Sequence, residues 1–168
     1  HNIGFGNAVV ENIATGCSVV FGERIRELLL QANPEDMMMH DWWAYLVAST
    51  FGYITYDNQA TILYRQHGNT VTPWEPGLIK LRARARGLVI RLRSHKYDGL
   101  ESLNQAIRFL ATYQHIPEQH RKIVERLTDL KGKGQLHRKL QYILNPEVTR
   151  TNPIEHWSLK LMILLGWH

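Results

Sequence analysis

Residues 14–21 are small and apolar with β-branched valines, a pattern that suits a buried strand, and residues 23–31 follow with helix formers that stop before Asn33-Pro34. Trp42, Leu46 and Ser49 recur at helical spacing, which predicts a second helix over residues 41–50 with Gly52 just beyond its end. Two short strands are expected next, over residues 53–56 and 61–65, separated by the turn signal Asp57-Asn58. The result is an α/β segment whose sheet is incomplete. Pro73, Pro76 and Gly77 then mark a linker, after which strand signals are few. Helical stretches are expected near residues 78–93, 100–113, 117–130, 135–144 and 154–165. This divides the chain into an α/β part, 1–72, and a helical appendage, 73–168.

Composition narrows the class. A chain of 168 residues with 44% hydrophobic content can bury a core, which argues against general disorder. Its single cysteine, Cys17, excludes an intrachain disulfide and fits a reducing compartment, so cytoplasm is the expected location. The first residues lack the charged start and apolar middle of a secretory signal, and a beginning at His1 without methionine reads as a fragment. Lys131-Gly132-Lys133-Gly134 lacks the spacing with which a Walker loop cradles phosphate. The nine histidines are scattered, with no pair at the close spacing of a zinc site. Met37-Met38-Met39 reads as core filling.

Charge is concentrated. Lys80, Arg82, Arg84, Arg86, Arg91, Arg93 and Lys96 are seven positive charges without an acidic residue among them, against a net +5 for the whole chain. Such a run is either a solvated helix face or an attraction to an anionic surface, where lipid headgroups would contribute about 1 kcal/mol per basic residue. The run lacks the aromatic interleaving of nucleic-acid modules, so no nucleic-acid partner is expected. Near the C-terminus, the apolar run 157–167 falls short of the about 20 residues that cross a bilayer. Bracketed by Trp157 and Trp167, it suits either a helix lying in the membrane interface or one packed onto the domain or a second copy.

Two clusters carry candidate chemistry: His40-Asp41-Trp42-Trp43 at a helix start, and Tyr64-Arg65-Gln66-His67-Gly68-Asn69 at a strand end. Asp41 reads either as an N-cap or as a general base, and His67 either as a turn residue beside Gly68-Asn69 or as a metal ligand. Taken in order, Asn12, Thr15-Gly16-Cys17, Phe21, Met39 to Trp43, Phe51-Gly52 and Tyr64 to Asn69 resemble the second half of a family 2 glycosyltransferase catalytic domain of the rhamnosyltransferase-like kind. The resemblance spans roughly a third of the chain.

The resemblance implies a partial GT-A fold that lacks its N-terminal nucleotide-binding half, followed by a helical C-terminal region. It implies an inverting transfer of a sugar, rhamnose by branch, from a nucleotide-diphospho-sugar to a saccharide or lipid-linked acceptor in surface polysaccharide synthesis. Asp41 would be the base, with Gly16, His40, Trp42, Trp43 and Arg65 contacting substrate and His67 completing a metal site that shares a pocket with Asp41. The divalent ion, Mn or Mg, would be held mainly by the absent half, since the Asp-x-Asp element of such enzymes does not occur here. Cys17 would be a small buried neighbour. Many relatives carry Glu-Asp where this chain has His40-Asp41, and Glu35-Asp36 lies five residues upstream, so Asp36 is the second choice of base. The location implied is cytoplasmic, peripheral at the inner face of the plasma membrane. A severed half sheet would also expose an edge that invites homo-oligomers. The competing reading is a non-enzymatic helical module that docks on a membrane or protein.

Overall fold

The computed structural model describes residues 3–60, 62–63, 101–131 and 134–166. Their regular structure is helical throughout: α1 (Phe5–Ala8), α2 (Glu23–Leu29), α3 (His40–Phe51), α4 (Glu101–Thr112), α5 (Glu118–Asp129), α6 (Leu136–Leu144) and α7 (Pro153–Leu165), with 3-10 turns at Gly16–Ser18 and Pro34–Asp36. No strand occurs among the described residues. This overturns the expected α/β, partial GT-A class.

The reason lies in pairing. Thr15 and Val19 do adopt extended backbone angles, as the local sequence favours. A strand also requires a neighbour for its N–H and C=O groups, and here the intervening residues turn into a 3-10 helix. Val20, expected in a sheet core, is 96% exposed. Residues 53–56 likewise form no regular element. Most of the third expected strand, residues 61–65, lies outside the described residues, as does the basic stretch expected as a helix near residues 78–93.

Residues 1–55 and 98–168 form one compact unit and residues 56–97 another. Within the second, the Asp57 carboxylate accepts a 2.9 Å hydrogen bond from the Gln59 N–H, a side-chain turn of the type that Asp favours. In the first, helices from both sides of the expected boundary at residue 72 share a single core. Phe109 of α4 is its centre, with Trp43 set edge-on at 5.6 Å, Tyr113 at 4.9 Å and Phe51 at 6.4 Å. Such edge-on and tilted pairs add about 0.5–1.5 kcal/mol each beyond the area they bury.

Helix α3 runs through this core. Trp43, Ala44, Tyr45, Leu46 and Val47 are all buried, so it packs on more sides than the row Trp42, Leu46 and Ser49 would suggest. It packs against α1 and α2. The Tyr45 hydroxyl donates to Asn7 Oδ1 at 2.7 Å, and burial pushes its pKa up. Tyr113, also raised by burial, accepts from Trp43 Nε1 at 3.2 Å and donates to the Leu28 carbonyl at 2.9 Å. Three helices are thereby joined through one phenol.

The two ends of the unit are clamped by Glu11. Its carboxylate accepts from Asn7 Nδ2, the Thr151 N–H and the Thr151 hydroxyl, all at 2.7 Å. Arg150 Nε adds a bond to the Val10 carbonyl at 3.1 Å. Gly6 permits this approach, because a Cβ there would overlap the Glu147 carbonyl oxygen. Helix α7 then starts sharply: Asn152 accepts from the N–H groups of Ile154 and Glu155, and Pro153 takes the first helical position.

His120 of α5 stacks on Phe5 at 4.2 Å with the rings 6° from parallel. Burial holds its pKa below the ordinary 6.5, and His156 of α7 is lowered too, by burial first and then by Lys160 and Arg150. Both imidazoles therefore fold neutral, and the unfolded chain binds protons that the folded chain refuses. Their contribution to stability is complete above the unfolded pKa near 6.5 and declines as pH falls through it, levelling off below the folded values. The thermal midpoint should fall between about pH 8 and about pH 5, and His120→Phe, which keeps the stack, should flatten that fall. An unchanged slope in the variant would acquit His120.

Candidate active site

The start of α3 gathers the candidate residues. The helix begins at His40 with Met39 as its N-cap and no side-chain cap bond, so Asp41 sits one residue inside the first turn. Its carboxylate does not cap its own helix in the expected way and instead reaches to the loop that follows α1. Asp41 Oδ1 accepts from Asn12 Nδ2 at 3.1 Å and from the Trp42 N–H at 2.8 Å, while Oδ2 accepts from the Gly16 N–H at 3.1 Å. Asn12 in turn accepts from the Ala14 N–H at 3.0 Å, which closes the loop on itself. An anion is also favoured here by the positive end of the helix dipole.

Three donors hold this buried carboxylate, and a carboxylate offers about four lone-pair sites. The remaining capacity lies on Oδ2, beside Gly16 and His40. A Cβ on Gly16 would stand 2.8 Å from His40 Nε2 and 3.7 Å from Asp41 Oδ2. Gly16, His40 and Asp41, separated by 24 and 25 positions in the chain, thus meet at one point. The absence of a side chain at Gly16 makes that approach possible.

Gly16→Ala tests this contact. The new methyl group should push the exposed His40 ring away while leaving the core untouched, so the thermal midpoint should change by only a few degrees, on the order of 1 kcal/mol. Any reaction that uses His40 beside Asp41 should slow far more than stability falls. Equal activity of Gly16→Ala and the parent would show that the imidazole's position is immaterial.

The two tryptophans part company. Trp42 is half-buried, packs against the core and donates from Nε1 to the Ala8 carbonyl at 2.6 Å. Trp43 is wholly buried in the aromatic core. Arg65 and His67 lie outside the described residues. Asp36, the second choice of base, ends the Pro34–Asp36 turn, where its carbonyl accepts from Arg108 at 3.3 Å. Cys17 is exposed, contrary to the buried place expected for it.

Asn12 was visible in the sequence only as one letter of the resembling text, and its hold on Asp41 depends on a fold-back of 29 positions. Among the described residues, no three of His, Cys, Asp and Glu come together in a way that would hold a metal. A shallow cleft of about 230 Å³ opens between Leu28, Gln31, Phe51 and residues 112–115. Phe51 closes α3 ten residues after Asp41, about 15 Å along the axis, so this cleft is not an extension of the Asp41 site. It is also smaller than the about 300–1,000 Å³ typical of ligand pockets. No family model, curated protein or solved structure matches this chain.

Proposed function

We propose that these residues form the acceptor side of an inverting glycosyltransferase, with Asp41 as general base. The observation that carries this reading is the meeting of Asp41, Gly16 and His40 around one remaining acceptor site on Asp41 Oδ2. An acceptor hydroxyl placed there donates its proton to Oδ2 as its oxygen attacks the anomeric carbon. The new C–O bond forms on the face opposite the departing nucleoside diphosphate, and the sugar inverts. Three fixed donors keep the carboxylate from turning, which is what a positioned base needs. Exposed His40 flanks the approach.

Donor recognition, and the Mn or Mg ion that would stabilise the leaving diphosphate, belong to a segment other than the described one. The described residues do not gather a ligand set for such an ion, and none of the steps above passes through it. The acceptor is a saccharide or a lipid-linked saccharide, and the sugar transferred is rhamnose by resemblance. Cytoplasm fits a chain whose only cysteine is exposed and without a disulfide partner.

Transfer itself is the test. The protein joined to its donor-binding half is given a panel of nucleotide-diphospho-sugars, and release of nucleoside diphosphate is followed with and without acceptor. Acceptor-dependent release that disappears in Asp41→Asn, with donor binding retained, supports the reading. Undiminished turnover in that variant removes Asp41 from the mechanism.

A further inference from the structure

Helices α3 and α4 end beside one another. The Met38 N–H, just before α3, donates to Gln105 Oε1 at 2.8 Å, and Phe51, which closes α3, stands edge-on at 5.4 Å to Tyr113, just past α4. The two helices therefore advance in the same sense, and their carbonyl ends meet. At those ends lies the cleft of about 230 Å³, lined by the last residue of each helix, Phe51 and Thr112, and by residues 113–115. Leu28 and Gln31, at the end of α2, complete it.

An α-helix carries about half a negative charge at its C-terminus, together with carbonyls that its own N–H groups cannot reach. The Ala48 and Phe109 carbonyls take the Gly52 and Tyr113 N–H groups. Among the described residues, no backbone N–H is bonded to the later carbonyls, of residues 49–51 and 110–112. Neither last turn carries a basic residue. Arg26, in the last turn of α2, is paired with Glu23 at 2.8 Å, and Arg108 of α4 reaches the Asp36 carbonyl at 3.3 Å. No Lys or Arg lines the cleft, so the lining offers these negative ends no fixed cation.

Three features select the occupant. The negative potential favours a cation over an anion. No Asp or Glu lines the cleft, which disfavours a divalent metal, because such ions take carboxylate ligands. Phe51 and Tyr113 meet at 62°, an aromatic corner of the kind that attracts organic cations, and Gln31 and Gln114 add side-chain oxygens that accept N–H bonds. The volume suits one small group and not a drug-sized molecule.

We infer that this cleft binds a small organic ammonium group. Its N–H donors meet the free helix carbonyls and the glutamine oxygens, and its alkyl stem lies along Phe51. The site is independent of sugar transfer, so either property can fail without the other.

Titration of the full chain followed by nuclear magnetic resonance tests the assignment, through the backbone amide signals of residues 112–115. The probes are n-butylammonium chloride and n-butanol, its neutral counterpart, at constant ionic strength and about pH 8, where imidazole side chains are neutral. Butylammonium should bind in the millimolar range and butanol about tenfold more weakly. Exchanging sodium for potassium in the buffer should leave that affinity unchanged. Gln114 is exposed, so its variants should keep the fold. Gln114→Lys, which brings an ammonium group to the rim, should abolish butylammonium binding and raise the thermal midpoint by about 1–4 °C. Gln114→Glu should tighten binding about threefold. A short peptide with one lysine distinguishes the sources: tighter binding than butylammonium assigns the cleft to a partner's side chain, weaker binding to a free amine. Equal binding of butanol and butylammonium, no response to either, displacement of butylammonium by potassium, or parental binding by Gln114→Lys would each overturn the assignment.

Discussion

Trp43→Ala should destabilise the fold by about 3–5 kcal/mol, the range for removing a large aromatic from a packed core. Trp43 has no exposed surface and meets Phe109 edge-on at 5.6 Å. Its Nε1 also donates to the Tyr113 hydroxyl, which in turn donates to the Leu28 carbonyl of α2. Truncation would open a cavity between α3 and α4 and take away one of the two partners of a buried phenol. Urea or thermal unfolding would show it, as a midpoint lower by on the order of 10 °C. Trp42→Ala should be milder, because that ring is half-buried and loses a single bond to the Ala8 carbonyl. Similar losses for the two would mean that the aromatic core is not where the stability lies.

Asp41→Asn should divide its effects unevenly between stability and chemistry. With the amide oxygen toward Asn12 and the Trp42 N–H, the amide nitrogen faces the Gly16 N–H, setting donor against donor. That conflict should destabilise by about 1–3 kcal/mol, the range for an unsatisfied buried polar group. Transfer should fall by about 10²–10⁴-fold, the usual contribution of a positioned base. Asn12→Ala provides the comparison: it removes one of the three donors but leaves the carboxylate, so it should loosen the loop without abolishing turnover. Equal activity losses in the two variants would make Asp41 a structural pin, whereas a much larger loss in Asp41→Asn at similar stability would support a base. Donor binding, measured in the same proteins, should be unchanged in both.

The helices were largely legible because their signals are local. Asn33-Pro34 closes the region of α2, Asn152-Pro153 opens α7, and the apolar spacing between them repeats every three to four residues. Helix α1 was missed, since four residues around Gly6 show no period to read. The strand signals misled for the opposite reason. Extended angles at Thr15 and Val19 are a local preference, but a strand exists only when another comes alongside. The valine run therefore met its conformational preference without becoming a strand.

The candidate site was legible as a set of residue types and not as an arrangement. His40-Asp41 and Thr15-Gly16-Cys17 stood out in the sequence, yet the carboxylate's turn toward Asn12 and Gly16 could not be read from it. Local reading left Asp41 as either a helix cap or a base; packing of the α1–α2 connection against α3 added the distant donors Asn12 and Gly16 to the adjacent Trp42 N–H. The same holds for Trp42 and Trp43, adjacent residues of which one is half-buried at the edge of the core and the other wholly inside it.

By itself, then, the sequence determined where most helices of the first unit begin and end, because capping, proline and side-chain period act within a few residues. Tertiary structure alone decided that no sheet forms among the described residues, that Glu11 closes the unit on Thr151, and that Gly16, His40 and Asp41 meet. Those outcomes depend on which surfaces exclude water together, and contacts 24 to 140 positions apart leave no trace in local periodicity.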